Sequence, residues 1–146
     1  MTNEKAVGKQ GVEKLKQLVN DINICLFCTD LKTDDGATCR PMMALEVDNE
    51  GNVWFFSAVL SGKNKAIRED NKVQLFFAHP PKGSYLIVNG TAEIIMDKEK
   101  IAALWTSEEE QWFKGGKGDP NISILKVTPQ NTYYWDASGD KMVNIF

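Results

Sequence analysis

The spacing of hydrophobic positions changes several times along the chain, and each change marks a predicted element. Apolar residues three or four positions apart predict an amphipathic helix over residues 8–21. Ser61 is a suitable N-cap for a second helix, over residues 61–70. Short apolar or alternating runs before and after it predict strands over residues 24–29, 38–47, 53–58 and 72–78.

The second half of the chain is predicted to hold one long strand and two or three shorter ones. Residues 84–96 form the long strand, and Gly90 in its middle predicts a bulge or a sharp bend. Pro129 separates two later strands, and residues 142–146 are a candidate for a terminal one. The two later strands cover residues 122–128 and 131–136.

The connection between the long strand and the later strands is predicted to be helical. Ile101, Leu104 and Trp105 share one helical face. Ser107 and Glu110 have the spacing of a capping box, which predicts a second helical turn after them.

Six or seven strands at short intervals, with short helices between them, predict a mainly β fold. The expected architecture is a closed antiparallel β-barrel with peripheral helices. The chain has 146 residues, which is enough for one domain with a real core, and we expect residues 1–146 to form a single domain.

Composition and charge narrow the function. Hydrophobic residues make up 42% of the chain and aromatic residues 10%, as in a folded globular protein. The net charge is −3 and the basic residues are spread out, so no basic stripe predicts nucleic-acid binding. No apolar run approaches the roughly 18 residues of a membrane span, and the polar N-terminus does not resemble a secretory signal. We therefore expect a cytoplasmic protein with no membrane partner.

The three cysteines are expected to be reduced. Cys25, Cys28 and Cys39 form an odd set, and disulfides are rare in the cytoplasm. Cys25 and Cys28 have the spacing of a redox or metal pair, but residues three apart on a strand point to opposite faces. No second Cys or His pair completes a zinc site. The sequence thus predicts buried core thiols and no metal.

Four groups suited to binding a phosphate lie on two neighbouring predicted strands and the turn after them. Arg40 and Ser57 belong to the strands, and Ser61 and Lys63 to the turn. Lys63 stands in the first helical turn, where the helix dipole prefers negative charge. A bound phosphate would reconcile the N-cap and the lysine, whereas the alternative is a capped surface helix with a solvated lysine. The convergence of Arg40 and Ser57 on this turn favours the phosphate.

Aromatic residues cluster in the last third of the chain. Most are expected in the core or at a subunit interface, where Trp and Tyr are both favoured. A planar cofactor lying across such an interface would use one or two of them. The cluster consists of Trp105, Trp112, Phe113, Tyr133, Tyr134 and Trp135.

Together these motifs resemble the pyridoxamine 5′-phosphate oxidase-like flavoproteins, and among them the small general stress protein branch. The likeness extends from Val12 to Asp136. The resemblance implies an FMN-binding split β-barrel that forms homodimers with two FMN sites at the interface. It is carried by the order and spacing of Cys39-Arg40-Pro41-Met42, Trp54-Phe55-Phe56-Ser57, Ser61-Gly62-Lys63 and Thr128-Pro129…Tyr134-Trp135-Asp136.

The resemblance also implies roles for individual residues. Ser61 and Lys63 match phosphate ligands, and Trp135 matches a tryptophan that approaches the flavin from the partner subunit. Phe56 and Ser57 match an aromatic–hydroxyl pair that ends a strand beside the cofactor. The residues that match those holding the phosphate, the ribityl chain and the flavin edge are Arg40, Pro41, Met42 and Met43.

Three departures from the oxidase pattern argue against vitamin B6 oxidation. Leu45 stands where the oxidase has a lysine for substrate phosphate, and residues 140–146 contain no Arg-x-His element. Gly62 replaces an arginine of the Ser-Arg-Lys turn. Together with these departures, the resemblance implies a stress-related flavin oxidoreductase with an unknown small substrate. The alternative is a non-catalytic carrier of FMN or of another planar cofactor such as haem or a deazaflavin. In either case Arg40, Ser57, Ser61 and Lys63 are expected at the rim of the site, where replacement leaves the fold intact.

Overall fold

The computed structural model describes residues 2–5, 8–136 and 141–146 of the chain. Within these residues the chain forms nine strands and three α-helices. The strands are β1 (Thr2–Lys5), β2 (Ile24–Thr29), β3 (Thr38–Met43), β4 (Glu46–Val47), β5 (Val53–Ala58), β6 (Lys72–His79), β7 (Ser84–Ile95), β8 (Ile122–Trp135) and β9 (Lys141–Asn144). The helices are α1 (Lys9–Asp21), α2 (Gly62–Glu69) and α3 (Lys98–Leu104), with 3-10 helices at Pro80–Lys82, Ser107–Gln111 and Gly116–Gly118.

The strands form one curled, mostly antiparallel sheet in the order β1-β9-β8-β7-β6-β2-β3. The long β8 strand pairs with β5 through its first half and with β9 near its end. The sheet thereby folds back on itself and brings β5 towards β3. The short strand β4 pairs with β5. Among the described residues β3 pairs only with β2. The barrel is therefore split, as the family resemblance implied, and not closed, as the strand pattern alone predicted. The split lies between β3 and β5.

The inward faces of the strands and α1 enclose the main core. Leu15 and Leu18 of α1 are buried against it. Phe27 and Phe55 meet edge to face inside, with ring centroids 5.1 Å apart. A second, smaller core lies on the other side of β5 and β8 and includes Trp54, Ile101, Phe113, Ile122 and Ile124. Since β5 is covered on both faces, the strand that ends beside the split is held rigidly.

The pairing of β7 with β8 confirms the predicted bulge at Gly90. The register shifts between Val88 and Gly90, which lies opposite Pro129. A side chain at Gly90 would collide with the carbonyl oxygen of Thr128, so the close approach requires glycine. The prediction of two strands separated by Pro129 was wrong, because β8 runs unbroken from Ile122 to Trp135. At a bulge, the missing N–H of proline leaves no ladder hydrogen bond unmade.

Three other features differ from the predicted elements. The predicted strand over residues 38–47 breaks after Met43, where Leu45 N–H turns to donate to the carbonyl of Trp54 at 2.8 Å. The capping box is formed by Thr106 and Glu109, one position before the predicted pair. Strand β1 was not predicted; it pairs in parallel with β9, which runs over Lys141–Asn144.

Two of the three cysteines are paired, so the prediction of reduced thiols was wrong for them. Cys28 on β2 and Cys39 on β3 lie directly opposite each other and form a disulfide, with their Cα atoms 4.1 Å apart. Local sequence spacing could not reveal this partnership, since it arises from the register of two strands joined by a loop. Cys25 is free and buried, as predicted, and burial raises the pKa of its thiol to about 12.

No helix in the described part of the chain is both long enough and apolar enough to cross a membrane.

Candidate functional site

A cavity of about 650 Å³ occupies the split between β3 and β5. This volume lies within the usual range for small-molecule and cofactor sites. One wall comes from β2, β3 and the residues after β3, namely Ile24, Pro41, Met42, Met43 and Leu45. The opposite wall consists of Phe56, Ser57, Ala58 and Lys63. The 3-10 helix at Ser107–Gln111 and the residues after it close a third side with Glu108, Glu109, Gln111, Trp112 and Phe113.

The polar end of this cavity is built where β5 ends and α2 begins. Ser61 is the N-cap of α2 and accepts a hydrogen bond from the backbone N–H of Asn64. Lys63 Nζ donates to Ser57 Oγ at 2.5 Å, and Ser61 Oγ lies 3.5 Å from Ser57 Oγ. The structure therefore brings Ser57, Ser61 and Lys63 together, as their spacing predicted.

Arg40 lies close to this group but does not line the cavity. Its Nη1 donates to the carbonyl of Phe27 and to Thr29 Oγ1, both at 3.0 Å, which fixes the guanidinium against β2. Burial lowers the pKa of Arg40, and the charge of Asp30 partly offsets this. The remaining guanidinium nitrogens have no hydrogen-bond partner among the described residues, so they are available to an anion.

The ammonium of Lys63 is held in an unfavourable electrostatic environment. Burial first, and the nearby charge of Arg40 second, lower the pKa of Lys63 from 10.5 to about 8. Among the described residues, no carboxylate forms an ion pair with the Lys63 ammonium. Two cations are thus held close together beside two serines, an arrangement that a bound anion would stabilise.

A buried polar network behind the serines was not anticipated from the sequence. Ser57 Oγ donates to Asn64 Oδ1 at 2.5 Å, and Asn64 Nδ2 donates to Ser123 Oγ at 2.9 Å. Ser123 returns a hydrogen bond to the carbonyl of Ser57 at 2.8 Å. The available signal was Asn64 itself, a polar residue three positions before Ile67 on the buried face of α2.

The network shows that Ser57 is not at the rim of the site. Only 3% of its surface is exposed, so the expectation that Ser57 lies at the rim was wrong. Since the Ser57 hydroxyl bonds to both Lys63 and Asn64, its loss would leave buried polar groups unpaired.

The middle of the cavity is apolar, and backbone groups line one side of it. Antiparallel residue pairs alternate between narrow and wide spacing, and the 4.1 Å Cα separation of Cys28 and Cys39 is the narrow, non-hydrogen-bonded kind. Pro41 and Met43, two and four positions further along, therefore direct their backbone groups away from β2 and towards the open edge of β3. This also explains why proline is tolerated at position 41. Phe56 faces this edge from the opposite wall.

Two other predicted positions behave differently. Gly62 has nothing within 4 Å of where a Cβ would stand, so the open space beside the turn would accept a side chain. Trp135, at the end of β8, is paired with Tyr85 and is not among the residues that line the cavity in one chain. The structure of a single chain therefore does not bring Trp135 to Arg40 and Lys63.

Comparison with known proteins agrees with this architecture. General stress protein 26 of Bacillus subtilis is 32% identical over 82 residues, covering 54% of this chain and 57% of that protein. Protein bli-3 of Neurospora crassa is 23% identical over 136 residues, covering 82% of this chain and 65% of its own. The matched regions thus span less than two thirds of either relative.

Solved structures share the fold at low sequence identity. A protein related to general stress protein 26 from Clostridium acetobutylicum matches with a TM-score of 0.76 at 22% identity, covering 95% of this chain and 99% of its own. A general stress FMN/FAD binding protein from Xanthomonas citri matches with a TM-score of 0.72 at 21% identity, covering 89% of this chain and 90% of its own. The family described as pyridoxamine 5′-phosphate oxidase like matches residues 10–146. This chain belongs to the pyridoxamine 5′-phosphate oxidase-like family.

Proposed function

We propose that this protein binds FMN in the cavity between β3 and β5 and uses it to oxidise or reduce a small molecule that is not a B6 vitamer. The observation that carries the proposal is the pair of partly buried cations, Arg40 and Lys63, held together beside Ser57 and Ser61. A phosphate ester supplies the missing anion. The solved relative named as an FMN/FAD binding protein supports a flavin as the molecule that carries it.

The residues present fit the cofactor from its phosphate to its ring. Arg40, Ser57, Ser61 and Lys63 would hold the phosphate through charge-assisted and neutral hydrogen bonds. The open edge of β3 at Pro41, Met42 and Met43 would meet the polar edge of the ring, with Phe56 against it on the opposite wall. Bound flavin supplies hydride and electron transfer, while the protein binds, orients and shields it. Leu45 lines the cavity as an apolar side chain, which offers nothing to a second, substrate phosphate.

Absorbance and turnover of the purified protein test this function. We expect a yellow protein whose visible absorbance bleaches with dithionite and whose flavin-free form gains thermal stability when FMN is added. With NADH or NADPH and a panel of electron acceptors, the loaded protein should turn over faster than free FMN. If saturating FMN changes neither fluorescence nor melting temperature, the proposal is wrong.

A non-catalytic carrier is the second candidate, favoured by the glycine at position 62. A basic side chain at position 62 would fit in the open space beside the turn and add a cation near the phosphate. With glycine there, the phosphate has one cation fewer. Tight FMN binding combined with turnover no faster than free FMN would decide for the carrier.

FMN affinity should depend on pH through Lys63. The pKa of Lys63 is about 8 without an anion, and a bound phosphate raises it by stabilising the ammonium. Affinity should therefore be full below pH 8 and fall as the pH rises towards the pKa of the bound state, by at most about tenfold per pH unit. Titrations from pH 7 to 9.5, where the phosphate stays dianionic, measure this. Lys63→Met should bind more weakly and lose this pH dependence.

The flavin-free protein should show the opposite trend in stability. The unfolded chain keeps Lys63 protonated up to its ordinary pKa of 10.5, so it binds more protons than the folded state above about pH 8. The free energy of unfolding attributable to Lys63 therefore rises with pH through this window. Comparing urea unfolding of the parent and Lys63→Met across the same window isolates the contribution. An equal pH dependence in both proteins would contradict the assigned pKa.

We propose further that two copies of the chain pair through the outer face of the sheet. Ile24, Leu26, Phe76 and Tyr85 are exposed apolar residues on β2, β6 and β7, and Leu26 and Phe76 are direct partners in the ladder. Trp135 on β8 is the ladder partner of Tyr85 on β7. Contiguous exposed apolar surface of this kind is typical of subunit interfaces. Pairing through this apolar face would bring Trp135 of one protomer towards the cofactor site of its partner.

Light scattering tests the dimer. Leu26→Lys should convert a dimer into a monomer and weaken FMN binding, because a charge is placed in the apolar face. Met96→Lys is the matched control, since Met96 is similarly exposed but follows β7 at its far end. A parent protein that is monomeric and still binds FMN tightly would contradict the proposed interface.

A further inference from the structure

The open end of the cavity carries an exposed aromatic residue on a firmly held segment. Trp112 lines the cavity although 74% of its surface is exposed. The adjacent Phe113 is buried and packs against Phe56 and Trp105, with ring centroids 6.4 and 6.3 Å away. The indole is therefore presented to solvent by an anchored neighbour and is not part of either hydrophobic core.

The charge at this end of the cavity is negative. Among the residues that the structure describes, the ionisable ones that line the cavity, apart from Lys63 beside Ser57, are Glu108 and Glu109. Glu109 is buried, and its carboxylate accepts from the backbone N–H and hydroxyl of Thr106. Glu108 is exposed, and its carboxylate has no hydrogen bond or ion pair within the described part of the chain. Glu108 is thus free to act on a ligand in the cavity that Trp112 also lines.

We propose that Trp112 and Glu108 form a subsite for a second ligand, which prefers a planar aromatic cation to a neutral ring and disfavours an anion. This inference rests on the proposed function, in which FMN fills the inner part of the same cavity. The face of an indole attracts cations, and a nearby carboxylate adds Coulomb attraction that becomes repulsion for an anion. The substrate class is therefore a planar ring of neutral or positive charge.

Calorimetric titration with three probes of similar size tests the subsite. N-methylquinolinium is the cation, quinoline the neutral ring and 1-naphthoate the anion, each added to FMN-loaded and to flavin-free protein at low ionic strength. We expect the cation to bind most tightly and 1-naphthoate most weakly in both forms, since both side chains belong to the protein. Binding should be tighter in the loaded form, where a ring is available for stacking.

Single replacements assign the preference to these residues. Glu108→Gln should weaken binding of the cation about threefold and leave quinoline unchanged, because only the charge is removed. Trp112→Ala should weaken both rings by about threefold to tenfold. Glu110→Gln is the matched control: Glu110 lies on the same 3-10 helix and loses the same charge, but it does not line the cavity. Glu110→Gln should therefore have no effect.

The outcomes separate this inference from the proposed function. FMN binding with no preference for the cation over 1-naphthoate would overturn the subsite and leave the flavin site standing. An effect of Glu110→Gln as large as that of Glu108→Gln would also overturn it, since the charge would then act from a distance. The expected order of probes in a protein that fails to bind FMN would support the subsite and refute the proposed function alone.

Discussion

We expect Arg40→Ala to weaken FMN binding by at least about tenfold. Arg40 offers a planar fork of donors, of which only Nη1 is used by Phe27 and Thr29. Charge-assisted hydrogen bonds contribute about 1.5–3 kcal/mol, and about 1.4 kcal/mol corresponds to a factor of ten in affinity. Arg40→Lys should recover part of the loss, because the charge returns without the fork. Fluorescence quenching of FMN by each variant measures the effect.

Arg68→Ala is the matched control for this experiment. Arg68 is the other arginine of the chain; it lies near the end of α2 and donates to the carbonyl of Val59. Unlike Arg40, it is not the charge that lowers the pKa of Lys63. Arg68→Ala removes the same net charge as Arg40→Ala and should leave FMN affinity unchanged. A second readout comes from Lys63: without Arg40, the pKa of Lys63 should rise, which moves the pH dependence of FMN binding upward. Should Arg40→Ala bind FMN as tightly as the parent, the proposed phosphate site is misplaced.

The second large effect is expected at a residue that would not touch the ligand. Asn64→Ala should lower the free energy of unfolding by about 2–4 kcal/mol, because it opens a cavity and removes the partners of Ser57 and Ser123. FMN affinity should also fall, since Ser57 is the group to which Lys63 bonds. Urea unfolding and FMN titration of the same variant measure the two effects separately.

Lys65→Ala controls for general effects on the helix. Lys65 follows Asn64 on α2 and is exposed, so its replacement should change neither stability nor affinity appreciably. Asn64→Ala with parental stability would mean that the buried network does not hold the serine in place.

Elements set by local pattern were predicted closely. Strands β2 and β5 were placed at their observed bounds, and Ser61 caps α2 as expected. Turn residues on either side of β5 fix its ends, and in α2 the cap and the first turn are contiguous in sequence. The convergence of Ser57, Ser61 and Lys63 followed from the same local geometry.

Most of the features that were missed depend on distant partners. From the sequence alone Pro129 predicts a strand break, and only the structure shows that Gly90 lies opposite it. The sequence alone predicts separate thiols at Cys28 and Cys39, and only the register of β2 with β3 places them opposite each other. Ser57 was expected at a rim, because the sequence alone does not show that it pairs in the sheet with Ser123, which lies 66 residues further along the chain. In each case the deciding contact is long-range, and single-sequence patterns carry no information about it.

The open edge of β3 has a consequence for how such a site should be mutated. Met43 presents its backbone N–H, not only its side chain, to the cavity, and Pro41 presents a carbonyl. Ordinary side-chain replacement leaves these groups in place, so Pro41→Ala and Met43→Ala would not remove the backbone contacts that β3 offers to the proposed ligand. An amide-to-ester exchange at Met43, introduced by chemical ligation, deletes the donor itself. The part of the site most tolerant of sequence divergence is therefore the part that conventional mutagenesis measures least.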